Sequence, residues 1–313
     1  MIISIIIPAH NDGSFIGGLL DSINKFITED YEIIVVNNGS TDNTHEVLSE
    51  HKCTVIDIKD RVNPSTARNI GAKKASGKYI IFFDSDILVT EQWAHQLTKL
   101  INNTEVLPKY FITGCSYYMS INPSWIENYW FEPLRKKVKS YINGGNIITS
   151  LETFEYIGGF DEHLETGEDV AFSEKAKNIG VKIIINNRWK VYHEGFPKTI
   201  KNFVKREAWH GKGDFYTISL LLKSKIAIAT LIFLMLHVLL FINLYSSFYF
   251  QNSSYVLNTL IFTALILLLS YIRAVKDIDI NSFKKILITT FISYLYFYGR
   301  TFSIINVIKD KFK

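Results

Sequence analysis

Three short stretches, residues 2–9 (IISIIIPA), 31–38 (YEIIVVNN) and 78–84 (KYIIFFD), are almost continuously apolar, rich in β-branched residues, and end on turn formers. Continuous rather than alternating hydrophobicity suits a strand covered on both faces, so these stretches predict interior strands of a parallel sheet. Residues 53–58 (CTVIDI) fit a further strand. Between them, apolar positions recur at helical spacing over 15–26, 44–51 and 65–75, and in STDNT (40–44) hydroxyls and Asp42 stand where an N-cap is needed. The order β-α-β-α-β predicts an open parallel sheet with right-handed crossovers. Ligands of such sheets bind beyond the carboxyl ends of the strands. PAHND (8–12), NNGSTD (37–42) and DSD (84–86) all fall at those ends.

The middle of the chain is less regular. An acidic loop precedes a helical pattern carried by Val170, Phe172, Ala176 and Ile179, and residues 181–197 hold an apolar strand core that runs on to His193. The last third differs in kind, because no charged side chain occurs between Ile226 and Ile272. Residues 226–250 are long enough to cross a bilayer, and 255–272 just reach that length. The link QNSS (251–254) is uncharged, whereas the next loop carries Arg273, Lys276, Lys284 and Lys285. By the positive-inside rule that loop and the N-terminal domain are cytoplasmic. A third apolar stretch, about 286–308, meets Arg300 and a basic tail (Lys309, Lys311, Lys313). A re-entrant or interfacial helix keeps that tail inside, and a full crossing is the alternative. Residues 216–225 then form an interfacial linker between a domain over 1–215 and a membrane region over 226–313. The expected location is the cell membrane, multi-pass, with the N-terminal domain cytoplasmic.

Composition changes this picture little. The 313 residues carry a net charge of +4, and no compact basic, aromatic-laced patch points to nucleic acid. Cys53 and Cys115 lie far apart and read as free thiols of a reducing compartment. The first residues carry no positive n-region, so they read as a strand rather than a signal peptide.

The chemistry concentrates at DSD. Alternation along a strand puts Asp84 and Asp86 on one side of the chain. Two neighbouring carboxylates repel unless a cation joins them. Mg²⁺ or Mn²⁺ is held by one or two carboxylates together with substrate phosphates.

SIIIPAHND, EIIVVNNGSTDNT, ARNIGAKKASGKYIIFFDSD, GGNIITS, GGFDE and GEDVAFSEKAKNIG occur in this order. In that order they resemble the family 2 glycosyltransferases over about residues 1–215. The resemblance implies an α/β fold of the GT-A type, Rossmann-like with a mostly parallel sheet, followed here by C-terminal transmembrane helices. It implies a nucleotide-sugar donor and a divalent metal, Mg²⁺ or Mn²⁺. Pro8, Ala9 and Asp12 would line the nucleotide pocket. Asn38 stands where the family commonly has an aspartate that accepts the uracil N–H. An amide oxygen accepts that bond without charge assistance. Arg68 would approach the diphosphate, with Asn69 and Gly71 shaping its loop. Asp84 and Ser85 would sit by the ribose and sugar, and Asp86 and His193 would hold the metal. Asp169 matches the catalytic base, with Glu168 orienting the acceptor or exchanging roles with it.

The activity so implied is inverting transfer of one sugar from a nucleotide-diphosphate sugar, a UDP-sugar by expectation, to a lipid-linked or cell-envelope glycan acceptor. Processive synthesis is the alternative, although REAWHGKGD (206–214) is not the Q-x-x-R-W signature of polymerising enzymes. A non-catalytic membrane scaffold would be expected to damage DSD or ED, and both are intact. A dinucleotide oxidoreductase would need G-x-G-x-x-G after the first strand, where the chain reads PAHNDGSFIGG.

Overall fold

The computed structural model describes residues 2–104, 107–136, 140–164, 166–250, 254–276 and 282–311. They form two compact units, Met1–Asn122 with Lys137–Phe196, and Pro123–Lys136 with Pro197–Lys313.

The first unit opens with β1 (Ile3–Ala9), α1 (Ile16–Phe26), β2 (Tyr31–Asn38), α2 (Thr44–Ser49), β3 (Thr54–Ile58), α3 (Pro64–Ala72) and β4 (Tyr79–Phe83). β5 (Ile87–Val89), α4 (Glu91–Ile101) and β6 (Phe111–Gly114) follow. The helix expected over 65–75 stops at Ala72. It starts firmly, with Pro64 in its first turn and the Asn63 side chain accepting from the Thr66 N–H at 2.9 Å. The chain then leaves this unit for a π-helical turn (Glu127–Phe131) and α5 (Glu132–Arg135), which belong to the second. It returns as β7 (Asn146–Ser150), α6 (Leu151–Ile157), α7 (Glu168–Asn178), β8 (Lys182–Ile185) and β9 (Val191–His193).

Seven strands form one sheet in the order β3-β2-β1-β4-β7-β6-β8. The first four pair in parallel, as their continuous hydrophobicity predicts, and β7 runs against both β4 and β6. β1 and β4 are apolar on both faces because a core covers each. Ile3, Ile5, Ile7 and Ile81 pack on one side with α1 and α4, while Ile6, Ile80 and Phe82 pack on the other with Phe154, Phe160 and Phe172. β5 pairs with β9 as a separate two-stranded ribbon in which Ile87 faces His193. The stretch read as one strand core over 181–197 is therefore two strands in different sheets.

In the second unit α8 (Ile200–His210), α9 (Lys212–Phe215) and α10 (Ile218–Lys223) lead to α11 (Lys225–Phe250), α12 (Ser254–Val275) and α13 (Phe283–Lys311). The boundary expected at residue 215 falls inside this unit, because α8 lies against α13. Gly299 of α13 lets the helices approach so closely that a Cβ there would stand 3.0 Å from the Val204 carbonyl oxygen. Among the described residues, α11 and α12 are long and apolar enough to cross a membrane. They keep large apolar side chains such as Phe248 (86%) and Leu260 (63%) exposed. α13 is one unbroken helix of 29 residues, tied to α11 by a 3.2 Å contact between Tyr294 and His237. Residues 251–253 of the QNSS link, 277–281 of the basic loop and the terminal Lys313 lie outside the described residues.

Candidate active site

The strand-end loops meet as the topology requires, joined by specific hydrogen bonds. Asn11 adopts a left-handed conformation (φ 57°), and its side-chain oxygen accepts the Thr41 N–H at 2.7 Å. The Asp12 N–H donates to the Thr44 hydroxyl at 2.9 Å, which joins PAHND to the start of α2. Asp12 Oδ2 accepts from the Ser85 hydroxyl at 2.6 Å, which joins PAHND to DSD. Burial raises the Asp12 carboxyl above its ordinary range, against the pull of these hydrogen bonds.

Asp84 and Asp86 have different surroundings. Asp84 accepts from Arg68 Nη2 at 2.7 Å and from the Tyr117 hydroxyl at 2.6 Å. Arg68 Nη1 donates to Glu168 at 2.8 Å, so one guanidinium bridges the DSD loop to the start of α7. The Tyr117 hydroxyl also accepts the Gly145 N–H at 2.8 Å. Burial, and then Asp84, push the Tyr117 phenol well above its usual range, so it stays a donor. Asp86 Oδ2 faces His193 Nε2 at 3.5 Å, brought there by the β5–β9 register. Burial raises the Asp86 carboxyl, and the charges of Asp84 and Asp12 add to the effect against His193.

Asp169 lies in the first turn of α7, after Gly167 in the left-handed region (φ 80°). Its Oδ1 accepts the Val170 N–H at 2.8 Å. Burial, reinforced by the adjacent Glu168, pushes its carboxyl up to about 6. That value suits a group that must accept a proton near neutral pH.

Three of the expected site residues, Arg68, Asn38 and Ala9, are largely enclosed by the chain itself. Arg68 is 3% exposed, and its two terminal nitrogens bind Asp84 and Glu168. Burying a guanidinium demands carboxylate partners, and two are supplied. Asn38 is 5% exposed and exchanges two 2.8 Å hydrogen bonds with the backbone of Val62, one from each end of its amide. It fastens the loop after β3. Ala9 is 1% exposed and packs in the core, so it borders the site through backbone alone. Pro8, beside it, is partly exposed.

Some contributors carried little signal in the sequence. Tyr117 sits in an unremarkable stretch, GCSYYMS. Gly144, Gly145 and Gly195 are readable only as glycines, yet each leaves room for a functional side chain. A Cβ on Gly145 would stand 2.2 Å from Asp84 Cγ, and one on Gly195 would stand 1.9 Å from Asp86 Oδ2.

Among the described residues no group of three His, Cys, Asp or Glu side chains is placed to hold a metal. Asp86 and His193 would supply two. That number fits a hard cation whose remaining ligands are diphosphate oxygens and water.

A parallel α/β sheet with acidic loops at its strand ends, an antiparallel β7 and a β5–β9 ribbon beside the site define a GT-A fold. A mannosyltransferase structure from Pyrobaculum calidifontis, PcManGT in complex with GDP-Man and Mn²⁺, shares that fold. It superposes with a TM-score of 0.51 at 18% identity, over 67% of this chain and 61% of that one. Residues 4–151 match the model of glycosyl transferase family 2. Relatives of the chain include Glycosyltransferase GlyA of Streptococcus pneumoniae, 29% identical over 59% of this chain and 29% of GlyA. Another is Glycosyltransferase AglE of Haloferax volcanii, 25% identical over 68% of this chain and 72% of AglE. The chain thus spans less than a third of GlyA's length.

Proposed function

We propose that this chain transfers one sugar at a time from a nucleoside-diphosphate sugar, a UDP-sugar in the first instance, to a lipid-linked or cell-envelope glycan acceptor, with inversion. The observation that carries the reading is the Arg68 bridge, which holds the donor-side Asp84 and the base-side Glu168 on one guanidinium. In this reading Asp12, Ser85 and Asp84 border the nucleoside and sugar. Asp86 and His193 hold a divalent cation, whose chemistry is to neutralise charge on the departing diphosphate. Asp169 takes the proton of the attacking acceptor hydroxyl on the face opposite the leaving group. Glu168 and Arg68 keep Asp169 in place, and Arg68 acts as a positioning residue.

α11 and α12 tether the catalytic unit to a bilayer, and their flanking Lys and Arg side chains favour the cytoplasmic side. An acceptor carried by a lipid then reaches the enzyme in two dimensions.

The test is hydrolysis of a panel of nucleotide sugars by membranes containing the protein, with and without Mn²⁺, beside Asp86→Ala. Release of nucleoside diphosphate from one donor, dependent on metal and lost in the variant, is the expected result. Release that ignores both metal and Asp86 would overturn the metal role. No turnover of any donor, even with lipid extract added, would overturn the transferase reading.

A further inference from the structure

Two carboxylates stand one residue apart in DSD, yet the fold treats them differently. A hard divalent cation takes oxygen ligands, and by charge alone it would draw both. Asp86 faces His193 at 3.5 Å, the pair to which the transferase reading gives the cation. Asp84 is engaged elsewhere through both of its oxygens. Its Oδ1 accepts from Arg68 at 2.7 Å, and its Oδ2 accepts from the Tyr117 hydroxyl at 2.6 Å. Both bonds are charge-assisted, the stronger kind, and their donors come from different segments of the chain. A carboxylate pinned at both oxygens cannot turn toward a new partner without breaking one of these bonds.

Tyr117 is the member whose chemistry points furthest. A phenolic hydroxyl both donates and accepts, so it can pass a hydrogen bond on. Here it accepts the Gly145 N–H at 2.8 Å while donating to Asp84, a relay from the backbone before β7 to the DSD loop. Hydrogen bonds in such a chain polarise one another, which strengthens the hold on Asp84. Asp84 also lies so close to Gly145 that a Cβ there would stand 2.3 Å from Oδ2. The same tyrosine touches the other part of the site, with its ring centroid 4.9 Å from that of His193. One side chain therefore meets Asp84 through its hydroxyl and the partner of Asp86 through its ring.

We propose that Tyr117 is a positioning residue whose hydroxyl holds Asp84 off the divalent cation, so that Asp86 is the one carboxylate of the chain that ligates it. The inference deepens the transferase reading and rests on it for the presence of a cation. Limiting the protein to one carboxylate has a chemical purpose. Each further negative ligand lowers the positive charge left to stabilise a departing diphosphate. Asp84 meanwhile keeps spare lone pairs on its fixed oxygens, which can accept hydroxyls of the donor.

The test is a Mn²⁺ titration of the full chain in nonionic detergent, read by electron paramagnetic resonance. The proteins compared are the unmodified chain, Tyr117→Phe, Asp84→Asn, both together, and Asp86→Ala, each checked for folding by its thermal midpoint. Tyr117→Phe removes one oxygen and keeps the ring. It is expected to bind Mn²⁺ about tenfold more tightly than the unmodified chain, because Asp84 is released to join the ion. The gain should run through Asp84. Asp84→Asn is expected to weaken binding by no more than about threefold alone and by at least about tenfold when added to Tyr117→Phe. A purely structural tyrosine would leave Mn²⁺ binding unchanged or weaker on losing its hydroxyl, and either result overturns the proposal. Should Tyr117→Phe fail to fold, Asp84→Asn beside Asp86→Ala decides. A loss in Asp84→Asn as large as that in Asp86→Ala would make Asp84 a ligand and overturn the proposal, whereas a small loss beside a large one supports it. Mn²⁺ binding that ignores Asp86→Ala would remove the cation from this site, and the metal role in the transferase reading with it. Binding lost in Asp86→Ala but unmoved by Tyr117→Phe would overturn the role of Tyr117 alone.

Discussion

Asp169 holds its proton further up the pH scale than an ordinary carboxylate, and the consequence is measurable. In the proposed role of general base it works only when ionised, so kcat/KM is expected to fall about tenfold per pH unit below an apparent pKa near 6. Glu168→Gln removes a neighbouring negative charge and should move that acid limb to lower pH. An unmoved limb would show that another group sets it. The same shift has a stability sign. The folded chain holds this proton more tightly than the unfolded one, so its contribution fades as pH rises from the ordinary 3.8 through about 6. Asp169→Asn should abolish transfer while leaving donor binding intact, which a nucleotide-binding titration beside a transfer assay would check. At this scale Asp86 and His193 stood out as residue types at strand ends, and Asp169 as an acidic residue at the start of a helical pattern. The bridging posture of Arg68 was not, because both of its partners come from distant segments of the chain.

Between elements, clearance decides what works. Gly145 begins the entry to β7 and faces Asp84, and Gly195 follows β9 and faces Asp86. Alanine at either position would push a carboxylate out of place through contacts of 2.2 and 1.9 Å. The expected outcome is loss of activity with a thermal midpoint changed only modestly, and an active Gly195→Ala would remove the close-approach argument. Asn146 marks a different dependence. Its side chain accepts from the Trp93 indole at 3.1 Å and donates to the Trp189 carbonyl at 2.8 Å, all of it buried. Asn146→Ala strands both groups and should cost about 1–3 kcal/mol in denaturant unfolding. The parallel strands β1, β2 and β4 were readable from continuous hydrophobicity alone. The reversal of β7 and the split between β8 and β9 were not, because strand direction is set by which edges lie free once the first four strands have paired.

For the molecule as a whole, the two units are interleaved in sequence. The segment Pro123–Lys136 leaves the catalytic unit and buries Trp130 and Phe131 in the second, where Trp130 lies 5.5 Å from Phe203 and 5.1 Å from Tyr296. A chain cut after Phe196 keeps this segment but loses what covers it. It is expected to aggregate, and Trp130→Ser with Phe131→Ser should improve its recovery in sedimentation. A soluble, monomeric cut chain without those changes would show that the segment folds back on its own. What the order of residues determined by itself was local or periodic: strands, most helix starts, the apolar helices of the last third, and the ordered motifs of the family. These follow from side-chain chemistry and spacing within a few turns of chain. The tertiary structure alone decided which charges meet, namely Arg68 between Asp84 and Glu168, Asp86 against His193, and the arginines of α8 and α13 around Glu207. The physical reason is that an ion pair is a relation across space. Its partners here are separated by up to about a hundred residues, and only the packing of the sheet and helices sets their distance.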